Sequence, residues 1–141
     1  MNRWERNRFD RLFDEVVEQL PLAVRKKFEE APVVIEDHPS PELLHELGME
    51  PMDTLSLCGL HSGVALTERS VEYSGEVGDV INLFREGIVE QAGGWVEWTD
   101  SDGREFGGEG AVAEQIRITL LHELGHHFGL DEDDLAALGY E

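Results

Sequence analysis

Residues 122–130 read HELGHHFGL, and the letters HELG occur once before, at 45–48, followed there by Met49. On an α-helix, residues four apart share a face, with Cβ atoms about 5–6 Å apart. His122 and His126 can therefore aim two imidazoles at one divalent cation, at about 2.0–2.1 Å each for zinc. Glu123 projects to a neighbouring position. From there it can take a proton from a water activated by the ion, and pass it on, without binding the ion itself. Gly129 is a helix stop that lets the chain turn back beneath the two rings.

Catalytic zinc usually has three protein ligands, so a third must come from elsewhere. The residues after Gly129 are Leu130, Asp131, Glu132, Asp133 and Asp134. Glu132 holds the place at which the extended HExxHxxGxxH motif puts its third histidine. Asp131 and Asp133 are the alternatives, and the same acids would also suit the start of a last helix. The first HELG lacks this arrangement. Its i+4 residue is Met49, a poor zinc ligand past a glycine stop, so His45 reads as a solvent-facing or helix-C-terminal histidine. His127 lies off the ligand face and reads as surface or supporting, not as a ligand. Phe128 reads as core packing under the site.

The elements that must carry these residues follow from periodicity. Phe9, Leu12, Phe13, Val16, Val17 and Leu20 form one apolar stripe on an N-terminal helix, which Pro21 interrupts. Residues 22–30 predict a second short helix and PVVIED (32–37) a strand. SPELLHELG (40–48) predicts a two-turn helix, with Ser40 as N-cap and Gly48 as its stop. LSLCGL (55–60) predicts a strand, HSG (61–63) a turn, 64–78 irregular chain, and DVINLFRE (79–86) a further strand. WVEWTDSDGREFGG (95–108) reads as a loose hairpin; its DSDG lacks the spacing and closing Glu of a calcium loop. Residues 109–128 predict the longest helix, with Val112, Ile116, Leu120, Leu121 and Leu124 as apolar contacts. Residues 131–140 predict a short final helix.

The chain has 141 residues, which predicts a single domain over 1–141 able to bury a core without staples. One cysteine, Cys58, excludes an intramolecular disulfide. The N-terminal residues MNRWERNRFDRLF are charged throughout and hold no secretory apolar segment, and no run approaches membrane-spanning length. A cytoplasmic location is therefore expected. The formal net charge is −20. Residues 1–30 hold seven basic and seven acidic side chains, so all of the excess lies in 31–141. Such a surface repels phosphate backbones and anionic lipid, so neither nucleic acid nor membrane is an expected partner.

With these residues in view, the chain resembles zincin metallopeptidases, and more closely a group of very small bacterial zincin-like proteins, the minimal metalloproteases. HELGHHFGLDEDDL (122–135) carries the strongest likeness, and ALTERSVEYSGEVGDVINLFREGI (65–88) resembles that group's central segment. The resemblance implies an α+β fold with a minimal zincin-like core. That core is a small mixed β-sheet with an N-terminal helix, an HExxH active-site helix and a short C-terminal helix. It implies a zinc-dependent peptidase holding one Zn²⁺, with Mn²⁺ or Fe²⁺ as less favoured ions, and a peptide or protein as substrate. By matching position it implies His122 and His126 as ligands and Glu123 as base. Related members commonly carry Asp where this chain has Glu132. The stretch 93–108 is longer than the group's core requires, and no methionine follows Gly129, so the Met-turn of metzincins is absent. Zincins also use a Tyr, His or Arg to steady the oxyanion; Tyr73, Arg69 and His61 are the candidates. Two rival classes stand beside a peptidase: a zinc-binding scaffold or regulatory module without proteolysis, and a metal-dependent ribonuclease. The acidic surface and acidic third position oppose the ribonuclease.

Overall fold

The computed structural model describes residues 1–62, 79–129 and 131–133. Helix α1 spans Arg3–Gln19, started by Asn2, whose side chain accepts the Glu5 amide. It buries Phe9, Leu12 and Val16, with Leu20 just beyond its end; Phe13 and Val17 are partly buried against the same core. The stripe predicted from the sequence is thus the buried face. Leu20 is extended because it precedes Pro21, and α2 (Leu22–Lys27) follows. Strand β1 is Val33–Glu36 and α3 is Pro41–Glu46, capped by Ser40 as expected.

The next stretch departs from expectation. Pro51–Ser56 is a 3₁₀ helix, opened by a capping box between Glu50 and Asp53. Strand β2 is Gly59–Ser62, so His61 and Ser62 are in a strand, not a turn. Strand β3 is Val80–Phe84. Arg85 ends that strand and begins α4, Arg85–Ala92, where extended chain was expected to continue. Gly87 explains how α4 fits: a Cβ there would stand 2.1 Å from the Leu57 carbonyl oxygen. The predicted hairpin is present as β4 (Trp98–Thr99) and β5 (Glu105–Phe106), with Trp98 stacked on Phe106. Helix α5 spans Glu109–His127. Glu132 and Asp133 are helical; the rest of the predicted final helix lies outside the described residues.

The principal sheet is three-stranded in the order β1-β3-β2. β1 runs parallel to β3, with Val33 opposite Ile81, and β2 antiparallel to it, with Gly59 opposite Leu83. This is the small mixed sheet of the expected α+β fold. β3 lies in the middle, and its Ile81, Leu83 and Phe84 are fully buried. α5 packs against α1, α4, β2 and β3. Its Val112, Ile116, Leu120 and Leu124 join Phe9, Leu12, Ile81 and Ile88 in one core. Each such side chain contributes about 1.5–3 kcal/mol by leaving water. Together they hold α5 against the edge strand β2. Arg8 and Arg11 both reach Glu109, tying α1 to the first turn of α5. Among the described residues no helix is long and apolar enough to cross a membrane.

Candidate metal centre

His122 and His126 lie on the last two turns of α5, on one face, with ring centroids 4.8 Å apart. Their Nε2 atoms are 3.2 Å apart. The helix ends at His127, and Gly129 takes a left-handed φ of +83°, a conformation that favours glycine. The reversal brings Glu132 back under the two rings. Its Oε1 stands 2.8 Å from His126 Nε2 and 3.4 Å from His122 Nε2.

This triangle can be tested against an ion. Three atoms on a tetrahedron about 2.05 Å from zinc are separated by about 3.3 Å. Separations of 3.2 and 3.4 Å match that spacing, and the 2.8 Å between His126 and Glu132, a hydrogen-bond length, is shorter; the three donors converge closely enough to hold one small cation after a slight spreading of that pair. Solvent reaches it: the Glu132 side chain is 70% exposed, against 17% and 27% for His122 and His126. Among the described residues, one other His/Asp/Glu group is close enough to converge on an ion, and it is His61, Asp79 and His127. Asp131 and Asp133 belong to neither group.

Glu123 lies beside this donor set. Its Oε1 is 3.9 Å from His122 Nε2, and the residue is buried. Burial raises its carboxyl above the ordinary carboxylate range. His122 and His126 draw it back down, Glu132 pushes it up, and a hydrogen bond from the His61 backbone N–H lowers it. A carboxylate with raised proton affinity is the better proton acceptor. β2 reaches Glu123 because position 59 is glycine. A Cβ there would stand 2.8 Å from Thr119 Cγ2 and 3.2 Å from Glu123 Cγ. Cys58, beside it, is pushed up to about 11 by burial and by Glu123, so it stands as a neutral thiol.

Of the two alternatives expected for His127, surface or supporting, the structure shows the second: the residue is fully buried. Its Nδ1 is hydrogen-bonded to Asp79 Oδ2, and its Nε2 is 3.2 Å from Glu30 Oε2. Carboxylate oxygens thus stand at both ring nitrogens and link the last turn of α5 to the start of β3 and to the segment after α2. Sequence reasoning missed Asp79 and Glu30. An acid heading an apolar strand gives no sign of a partner 48 residues away. His61, an oxyanion candidate, is turned into this cluster: its Nε2 is 3.4 Å from Asp79 Oδ2, and burial lowers its pKa. The other two candidates, Arg69 and Tyr73, lie outside the described residues. His45 is exposed on the last turn of α3, away from either group, as its missing partner implied. Phe128 packs against the core beneath the site.

The chain thus joins HExxH on a helix, an acid brought back by a glycine turn and a short mixed sheet. The family model described as zincin-like metallopeptidase matches residues 28–140, and the chain belongs to this family. No curated protein matches the chain.

Proposed function

We propose that this chain is a zinc-dependent peptidase, with His122, His126 and Glu132 as ligands and Glu123 as general base and acid. The carrying observation is the triangle of 3.2, 2.8 and 3.4 Å between the three donor atoms, with a buried carboxylate alongside. When bound, the ion supplies Lewis acidity: it polarises a carbonyl and lets water ionise near neutrality. Glu123 accepts the proton of the attacking water as its oxygen bonds to the peptide carbonyl carbon. It then delivers that proton to the amide nitrogen as the C–N bond breaks, so proton and leaving group balance. The His61 backbone N–H holds the Glu123 carboxylate in place for both transfers. The open side at Glu132 admits an extended peptide. A cytoplasmic location accords with this reading and belongs to the same proposal.

The test is Glu123→Gln. The variant is expected to retain stoichiometric zinc by elemental analysis and to lose about 10²–10⁴ in turnover of a peptide mixture. Equal turnover by both proteins removes Glu123 from the mechanism. Stoichiometric zinc with no turnover by the wild type transfers the site to a scaffold or regulatory role.

A further inference from the structure

A cavity of about 290 Å³ opens directly beside the proposed chemistry, with Cys58, Gln91, Gln115, Thr119, His122 and Glu123 in its wall. It is at the small end of ligand cavities, which run about 300–1,000 Å³, and has room for one medium side chain. Gln115, Thr119 and Glu123 are four residues apart on α5 and form one ladder along a single face. Gln115 Nε2 donates to Thr119 Oγ1 at 3.2 Å, which fixes the amide at the cavity wall. Gln91 faces it from the last turn of α4. Gly59 bounds the cavity where β2 crosses Thr119.

The lining decides between classes of occupant. No Lys or Arg lines the cavity among the described residues, and its one carboxylate is Glu123. An acidic side chain meets that carboxylate and the repulsion of a chain carrying −20. A basic side chain would pair with Glu123 and occupy the group that must move a proton. A large aliphatic side chain would strip water from two glutamine amides and return no hydrogen bond. An amide or hydroxyl can exchange hydrogen bonds with Gln91 and Gln115, each of which offers both donor and acceptor. We propose that this cavity is a specificity subsite that selects an uncharged polar side chain (Asn, Gln, Ser or Thr) beside the bond to be cut. The proposal rests on the peptidase reading of the site.

The experiment is cleavage of a randomised peptide library by the zinc-loaded full chain, with residues flanking each cut read by mass spectrometry. The wild type is expected to enrich Asn, Gln, Ser and Thr by about tenfold over Leu and Phe at one position next to the cut. Gln115→Leu keeps volume and removes the amide, so it should shift that ratio toward Leu by about tenfold. Gln91→Leu, at an exposed position, carries the same comparison if the first variant does not fold. Cuts flanked by aliphatic or charged residues, or one profile shared by wild type and both variants, overturn the subsite while leaving the peptidase reading intact. Cleavage of no peptide overturns both.

Discussion

Two histidines in this chain open the same four letters, and their later neighbours separate their fates. His122 has a second imidazole one turn on and a carboxylate returned by Gly129. His45 has Met49 and an exposed helix end. Metal affinity is therefore expected to depend on the first set alone. Substituting groups that merely support a ligand costs about 10–100-fold in affinity. Removing a ligand should cost more, so His126→Ala and Glu132→Ala are each expected to lose over about 100-fold, read by zinc titration against a competing chelator. His45→Ala should bind as the wild type does. If Glu132→Ala keeps full affinity while His126→Ala loses it, the carboxylate ligand must be reassigned to Asp131 or Asp133. The spacing of His122, Glu123, His126 and Glu132 was legible in the sequence because one helix and one turn set it. Asp79 and Glu30 were not, because only the packing of distant segments brings them to His127.

Edge strand β2 and helix α5 meet at Gly59, where nothing larger than hydrogen fits without movement. A methyl there would stand 2.8 Å from Thr119 Cγ2 and 3.1 Å from the Asn82 carbonyl oxygen. Gly59→Ala is expected to destabilise the fold by about 1–3 kcal/mol, the usual cost of overpacking. It should also lift β2 off Glu123, lowering turnover. Thr119→Ser deletes the Cγ2 atom that the methyl would strike, so the double variant should regain part of the stability in urea unfolding. Unchanged unfolding of the single variant would show that the contact yields freely. Element boundaries were the weakest part of the sequence reading, for identifiable reasons. The apolar letters of LSLCGL suggested a strand, while Glu50, Pro51 and Asp53 carried a helix-start signal of the capping-box kind. His61 and Ser62 joined the strand because β3 offered Ile81 and Val80 as partners. α4 was hidden by Gly87, a poor helix former that only the packed structure explains. The amphipathic α1 and the long α5 were legible because each buries a stripe with helical period.

At the scale of the whole molecule, the charge excess makes each cation's placement consequential. Arg85 sits where β3 becomes α4, its side chain only 12% exposed, and binds both Asp10 of α1 and Asp37 beyond β1. Arg6 joins it on Asp37 at 2.7 Å. One aspartate thus links the N-terminal helix, the end of β1 and the start of α4. The Arg6 hydrogen bond is the largest cause of a lowered Asp37 pKa; burial opposes it, and the Arg6 and Arg85 charges add to the lowering. A folded-state pKa below the unfolded value of about 3.9 means that the stabilisation is complete above that value. It is lost as pH falls through it toward the lower folded value. Asp37→Asn should therefore cost about 1 kcal/mol at neutral pH, a figure kept small by solvent screening of a partly exposed pair. Denaturant unfolding of both proteins from about pH 7 to about pH 3 reads the difference. The gap should hold steady down to about pH 5 and close below it as the wild type gives up its charge. A gap that stays constant into acid would mean that Asp37 contributes by packing and neutral hydrogen bonds, and that the arginine pairs add nothing to the fold.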